Sequence, residues 1–271
     1  MSIDAIPIGA LFAATIIVVV VAIEAGIRLG HAVLRHSDHE KESPVSAIVG
    51  SILGLLAFML AFTFGIVTDR YDSRRALVRE EANAIGTAYL RSDFLAEPDR
   101  RESAGLFREY VDLRLAAVQS HDADEVQKAL AESSRIQHRL WNIAVVNARK
   151  DMKSDIGALY IESLNQVIDI HALRVAVAWQ ARIPGGIWLV LYLLVVLGMI
   201  GVGYQSAIAG STRRSWATPI LAFSFSLVIA LIASLDHPMS DFIKVSQQPL
   251  VDVRASMNAG NEAHSDPGER P

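Results

Sequence analysis

Long apolar runs and amphipathic stretches alternate along this chain. A run of about 20 apolar residues is long enough to cross the roughly 30 Å hydrocarbon core of a membrane as a helix. The pattern predicts four transmembrane spans, which are Ile8–Leu29, Val45–Thr68, Gly185–Tyr204 and Trp216–Leu235. Such clustering of apolar residues indicates a multi-pass membrane protein.

The second span is continuous with a charged, amphipathic segment. From about Ser46 to Arg91 the sequence contains no Pro and no turn-forming cluster that would end a helix. An uninterrupted helix of about 45 residues would be about 70 Å long, more than twice the hydrocarbon thickness. We therefore expect span 2 to leave the membrane and to continue as the first helix of an aqueous domain.

Between the second and third spans, apolar residues recur every three or four positions, which is the period of amphipathic helices. Helix breaks are expected near Pro98, near His121–Asp124 and near Lys153–Ser154. The expected fold is an all-α membrane protein with four transmembrane helices and an antiparallel helical bundle inserted between the second and third spans. The predicted divisions are residues 1–68 (spans 1 and 2), 69–183 (bundle), 184–235 (spans 3 and 4) and 236–271 (a polar, disordered tail).

Composition narrows the functional classes. The chain is 52% hydrophobic, carries a formal net charge of -4 and has no basic stripe interleaved with aromatic residues, which excludes nucleic acid as a partner. It contains no Cys, so thiolate metal sites and Cys nucleophiles are excluded. No catalytic motif is present, so we expect neither an enzyme nor a cofactor. The tract with His31, His36 and His39 lacks metal-ligand spacing, which indicates a solvated loop and no metal site.

Lys and Arg near the span ends give conflicting information about orientation. Arg28, Arg35 and Lys41 follow span 1, and Arg213 and Arg214 lie between spans 3 and 4, which places both short loops in the cytoplasm. A group of arginines directly after span 2 favours the opposite orientation. Because the first span usually dominates, the charge count tips towards an extracytoplasmic bundle.

Span 2 carries a stripe of small residues at intervals of three and four, which lets helices approach closely in lipid. Its members are Gly50, Gly54, Ala57, Ala61 and Gly65. One interpretation is packing among the four spans of a single chain. The other is packing of several copies around a shared axis, where Phe side chains would form a hydrophobic gate. On the second interpretation the pore-lining candidates are Gly54, Phe58, Ala61, Phe62 and Gly65.

Charged and titratable residues supply two further candidates. Glu24 lies inside span 1 near its end, and Arg28 follows on the same face, which predicts a local ion pair. His171 lies on the apolar stripe of the last bundle helix, with Arg174 one turn further along. Such a polar group inside a bundle either fixes helix pairing or binds a ligand or ion.

Two segments resemble bacterial bestrophin-like membrane proteins, a family distantly related to the bestrophins. The first runs from Gly54 to Arg91 and contains EEANAIG at residues 80–86, and the second runs from Ser163 to Trp188. The two segments contribute the predicted polar cluster of the bundle, which consists of Glu80, Asn83, Arg91, Asn165, Asp169, His171 and Arg174. The arrangement of two spans on either side of a helical middle also fits this family.

The resemblance implies a homo-oligomeric ion channel of the bacterial inner membrane, with span 2 lining the pore. Its expected partners are the lipid bilayer, further copies of the chain and inorganic ions. The resemblance also implies a cytoplasmic helical domain, opposite to the charge count. The alternative is a membrane-anchored helical sensor or protein-interaction module without a pore, in which the long helix transmits movement.

Overall fold

The computed structural model describes residues 7–35, 42–120, 122–180, 182–209, 217–237 and 243–265. The described residues form α-helices joined by short connections and contain no strand, which confirms the all-α fold class. A 3-10 turn, Ser92–Phe94, follows the second helix. The helices are α1 Ile8–Leu34, α2 Glu42–Arg91, α3 Asp99–Gln119, α4 Ala123–Lys150, α5 Asp155–Gln180, α6 Gly185–Ile208, α7 Ala217–Asp236 and α8 Gln248–Ser265.

Of the described helices, four are long and apolar enough to cross a membrane, as the sequence predicts. They are α1, α2, α6 and α7, and their apolar parts coincide with the predicted spans to within a few residues, although Trp216 lies outside the described residues. The prediction of one unbroken helix from Ser46 to Arg91 is confirmed by α2, which has 50 residues. The ion pair predicted in span 1 is also present, because Nε of Arg28 donates to Oε1 of Glu24 at 3.1 Å.

The chain divides into two compact units. The first comprises Met1–Tyr71 and Arg182–Lys244, and the second comprises Asp72–Ala181 and Val245–Pro271. The sequence predicts borders at 68/69, 183/184 and 235/236, and this division stays a prediction. Helix α2 begins in the first unit and ends in the second.

The first unit is held by apolar packing of α1, α2, α6 and α7. Helix α1 packs against α6 at two glycines. A Cβ atom on Gly26 would overlap the backbone carbonyl of Ile200, and one on Gly203 would overlap the carbonyl of Ile23. Only glycine permits so close an approach of two helix backbones, which is the packing mode that favours helix association in lipid.

The second unit has its own core, formed by the apolar stripes of α2, α3, α4 and α5. Ile85 on α2, Phe107 on α3, Ile136 on α4 and Leu164 on α5 are all buried there. The helix breaks in this unit fall next to Pro98, next to Asp122 and at residues 151–154, close to the predicted positions. Residues of these four helices share one apolar core, which has one addition.

The addition is α8, which corrects the predicted disordered tail. Residues 248–265 form a helix whose side chains Leu250 and Met257 are fully buried in the core of the second unit. Arg254 also donates from Nε and Nη2 to the two carboxylate oxygens of Asp112 on α3, at 2.7 and 2.9 Å. The apolar contacts recur every three or four residues, but small and polar neighbours hide that period in the sequence.

Candidate functional site

One face of α2 in the first unit is not covered by the described residues of the chain. Helix α2 packs on its own unit through Leu56, Leu60 and Val67, which are buried and lie on one face. With about 3.6 residues per turn, the opposite face consists of the five pore-lining candidates. We call this the α2 open face: Gly54, Phe58, Ala61, Phe62 and Gly65, all exposed.

The glycines of span 2 make no close contact with the described residues of the chain. A Cβ atom added to Gly50, Gly54 or Gly65 would meet nothing within 4 Å, in contrast to Gly26 and Gly203. The first interpretation of the small-residue stripe, packing among the spans of one chain, is therefore wrong. The stripe is available for contacts outside the chain.

A buried carboxylate organises the second unit. Glu81 on α2 is 0% exposed and accepts hydrogen bonds from two guanidiniums, those of Arg114 on α3 and Arg174 on α5. Nε of Arg114 lies 3.0 Å from Oε1, and Nη1 of Arg174 contacts Oε2. Arg174 also donates from Nη2 to Oε1 of Gln247, at 3.3 Å, which links this group to the segment that precedes α8.

Neutral polar side chains complete this group. The hydroxyl of Tyr110 lies 3.0 Å from Nδ1 of His171 and 3.4 Å from Oε1 of Glu81, and it accepts a hydrogen bond from Nε2 of Gln137 at 3.2 Å. All of these side chains are buried. We call the group the Glu81 cluster: Glu81, Tyr110, Arg114, Gln137, His171 and Arg174.

Burial shifts the titration of the cluster. Burial, reinforced by the nearby Arg114 guanidinium, lowers the pKa of His171 to about 4, so its imidazole is neutral at neutral pH. Burial raises the pKa of Tyr110 to about 12, which keeps its proton on the hydroxyl. Burial lowers the pKa of Arg174 to about 10, and the guanidinium is still cationic at neutral pH. The cluster therefore combines one anion, two cations and neutral hydrogen-bonding groups.

The predicted polar cluster is only partly assembled. His171 and Arg174 join the Glu81 cluster, and Arg91 donates instead to the backbone carbonyl of Leu159 at 2.7 Å. The structure does not bring the remaining members together, because they lie on the outer faces of α2 and α5. These exposed residues are Glu80, Asn83, Asn165 and Asp169.

Sequence reasoning missed Glu81, Tyr110, Arg114 and Gln137. Glu81 could have been found, since it follows Val78 by three residues and precedes Ile85 by four on the apolar stripe of α2. No comparable pattern marks its partners on α3 and α4. Their sequences read as ordinary amphipathic helices, in which polar residues are expected at many positions.

A second buried carboxylate lies in the first unit. Both oxygens of Asp236, at the end of α7, accept the backbone N–H of Ile183, at 3.1 and 3.2 Å. Nη1 of Arg70 on α2 lies 3.4 Å from the same carboxylate. Asp236 therefore connects α2 and the end of α7 to the segment that precedes α6.

In the part of the chain that the structure describes, no three His, Asp or Glu side chains gather as a metal site. His36 and His39 of the predicted loop lie outside it.

Comparison with known proteins identifies the fold. The sequence matches the family description "Bestrophin-like domain" over residues 12–250. A crystal structure of a point variant of a bacterial bestrophin homologue from Klebsiella pneumoniae is similar, with a TM-score of 0.65 at 15% identity, covering 94% of this chain and 98% of that chain. Another crystal structure of a bacterial bestrophin homologue from that organism gives 0.64 at 16% identity, covering 92% and 96%. No curated protein matches the chain.

Proposed function

The chain belongs to the Bestrophin-like family, and we propose that several copies of it assemble into an ion-conducting pore across a membrane. The α2 open face lines this pore. The observation that carries the proposal is that Phe58 and Phe62, 66% and 60% exposed, lie beside glycines that no described residue covers. Within a single chain, this face of small residues and Phe side chains packs against no described residue.

The contrast with the third and fourth spans supports a protein contact at α2. The exposed described residues of α6 and α7 are mostly bulky Leu, Val, Ile and Phe, such as Leu189 and Ile220. Bulky apolar side chains suit contact with lipid tails. Glycine and alanine at close helical intervals instead permit helices to approach one another. The α2 open face is therefore where a neighbouring copy is expected.

Phe58 and Phe62 would form the gate of the proposed pore. Phe58 and Phe62 are one helical turn apart, and a ring of such side chains from several copies forms a hydrophobic constriction that gates by dewetting. The second unit supplies the aqueous vestibule on this proposal. Its exposed polar residues Glu80, Asn83, Asn165 and Asp169 would face water or a neighbouring copy.

The pore would lie in the bacterial inner membrane and would conduct inorganic ions. We retain the charge-based orientation, with the second unit outside the cytoplasm. Two spans separate this unit from the chain after α7, so α8 must lie on the same side, and its burial in the second unit agrees with that requirement. Alkaline phosphatase fused after residue 265 should be active on this orientation. A fluorescent cytoplasmic reporter at the same position would instead favour the orientation implied by the bestrophin resemblance.

Planar bilayer recording of the purified protein tests the channel, and native mass measurement tests the assembly. We expect discrete conductance steps and a defined complex of more than one copy. A monomer that conducts no salt at any pH or voltage would overturn the proposal. The same monomer carrying a stoichiometric protein partner would instead support the sensor or interaction module.

A further inference from the structure

The exposed face of α2 continues beyond the α2 open face and carries opposite charges on its two edges. Asn83 lies about five full turns after Gly65 at about 3.6 residues per turn, so both lie on the same face of this helix. Arg79 and Glu80 flank Asn83 on either side, because successive residues turn by about 100° around the helix axis. Both are exposed, and among the described residues neither has a hydrogen-bond or ion-pair partner. One edge of the face is therefore basic and the other is acidic.

Different helices border the two edges. Gly86 lies about two turns after Arg79 on the basic edge, and a Cβ atom on Gly86 would meet a side chain of α8 at 3.8 Å. Arg91 lies about three turns after Glu80 on the acidic edge, and its Nη1 donates to a backbone carbonyl of α5 at 2.7 Å. The basic edge is thus next to α8, and the acidic edge is next to α5.

The neighbouring charges strengthen this division. Arg75, about one turn before Arg79, adds a second exposed cation without a partner among the described residues. The guanidinium of α5, that of Arg174, is already bound to Glu81. The exposed charged side chains described on α5 are all acidic: Asp155, Glu162 and Asp169. The acidic charge beside the second edge of α2 therefore extends onto α5.

A ring of copies related by rotation places one edge of each copy against the opposite edge of the next. Such a rotation leaves every residue at its own height along the axis, and Arg79 and Glu80 differ by only about 1.5 Å in height along α2. We propose that Arg79 of each copy pairs with Glu80 of the next copy, in a head-to-tail contact that runs around the pore. The proposal rests on the proposed function, because it requires several copies arranged around α2.

The opposite charges of the two edges also exclude the wrong assembly. A contact that placed like edges together would bring Arg79 of one copy against Arg79 of another, and like charges across an interface repel. A head-to-tail contact instead matches a basic edge with an acidic edge at every interface. The pair thus sets how copies are oriented towards one another, which is the usual role of charges at the rim of an interface.

Charge reversal in the full-length protein tests the contact. Native mass measurement in detergent gives the protein concentration at which half of the complex has dissociated. Arg79→Glu or Glu80→Arg alone should raise this concentration at least tenfold, because like charges then face each other at every interface. The double variant exchanges the two charges and should return to within about threefold of the unaltered protein. Arg139→Glu is the control and should change nothing, since Arg139 is exposed and pairs with Glu102 of its own chain.

Mixing the two single variants separates a contact between copies from an effect within one chain. Complexes that contain both variants should form at concentrations where neither variant assembles alone, because each mixed interface again joins opposite charges. Losses that neither the double variant nor mixing recovers would overturn the pairing and would indicate another ligand for Arg79, such as a lipid phosphate. If the unaltered protein assembles and the single reversals assemble equally well, only this contact is wrong. If the unaltered protein is a monomer, the proposed function fails together with the contact.

Discussion

Glu81 on α2 and Arg114 on α3 form a buried ion pair with an Nε–Oε1 distance of 3.0 Å. Arg174 on α5 approaches the other carboxylate oxygen of Glu81, so a single side chain joins three helices of the second unit. Helix α2 also carries the α2 open face in the first unit. Helix α2 is therefore held by ion pairs in the second unit, whereas its outer face in the first unit is exposed.

Glu81→Gln should destabilise the protein strongly. The change leaves two guanidiniums without their counter-charge, and removing one partner of a buried ion pair costs about 3–5 kcal/mol. Chemical unfolding in detergent measures the loss. The matched control is Glu80→Gln, since Glu80 is the exposed neighbour and surface changes usually stay within about 0.5 kcal/mol. Equal losses in the two variants would contradict the role given to Glu81.

Stability should fall as the pH is lowered from about 6.5 to about 4. The pKa of His171 is lowered to about 4 in the folded protein, whereas an unfolded His titrates near 6.5. The unfolded state therefore binds the additional proton in this window, which costs up to about 3 kcal/mol of folding free energy at the acid end. His171→Gln should flatten this part of the profile, and the exposed His138→Gln should leave it unchanged. A profile that His171→Gln does not alter would contradict the burial of a neutral imidazole.

Glycines of the first unit should fall into two classes. Gly203→Leu should abolish folded protein in detergent, because a side chain there overlaps the backbone of α1. Gly54→Leu should leave the monomer folded, since nothing lies within 4 Å of that position. On the proposed function it should shift the native mass towards smaller complexes. Loss of folded monomer in Gly54→Leu would show that the α2 open face packs within the chain.

Truncating one buried side chain of α8 should cost about as much as truncation in any protein core. Met257→Ala should lower the free energy of unfolding by about 2–5 kcal/mol, because Met257 is 0% exposed. Val251→Ala lies on the same helix at a side chain that is 42% exposed, and it should cost much less. Hydrogen exchange should show protected amides in 248–260 of the unaltered protein. Unprotected amides there would instead support the disordered tail that the sequence predicts.

Phe62→Ala should widen the proposed constriction and raise the single-channel conductance in planar bilayers. The thermal midpoint of the isolated chain should change little, because Phe62 is 60% exposed. Ile17→Ala on α1 is the control, with a side chain that is 62% exposed and no expected part in the pore. A conductance change of the same size in Ile17→Ala would remove the special role of the α2 open face.

Local patterns were sufficient for most of the helices. The period of apolar residues predicted α1 to α7, because each helix buries a stripe long enough to dominate its neighbours in sequence. The same reasoning failed at α8, where the contacts of Leu250 and Met257 are separated by small and polar residues. Its docking depends on a surface formed by other helices, and no local pattern reports such a surface.

The polar cluster shows the corresponding limit for sites. His171 and Arg174 were found because polar residues interrupt an apolar stripe. Glu80 was preferred to Glu81, although one position along a helix turns a side chain by more than a quarter of a circle and separates an exposed from a buried carboxylate. The apolar stripe through Val78 and Ile85 already distinguishes these two acids, but the partners of Glu81 on α3 and α5 are fixed only by helix packing.

The sequence by itself determined the class of the protein, the four spans, the unbroken α2 and the family likeness, because hydrophobic period and span length are local properties of the chain. The tertiary structure alone decided which residues meet across helices: Glu81 with Arg114 and Arg174, and Gly26 with Ile200. It also decided that the glycines of span 2 are not used within the chain. Such contacts join positions far apart in sequence, and they depend on how helices pack, which no single stretch encodes.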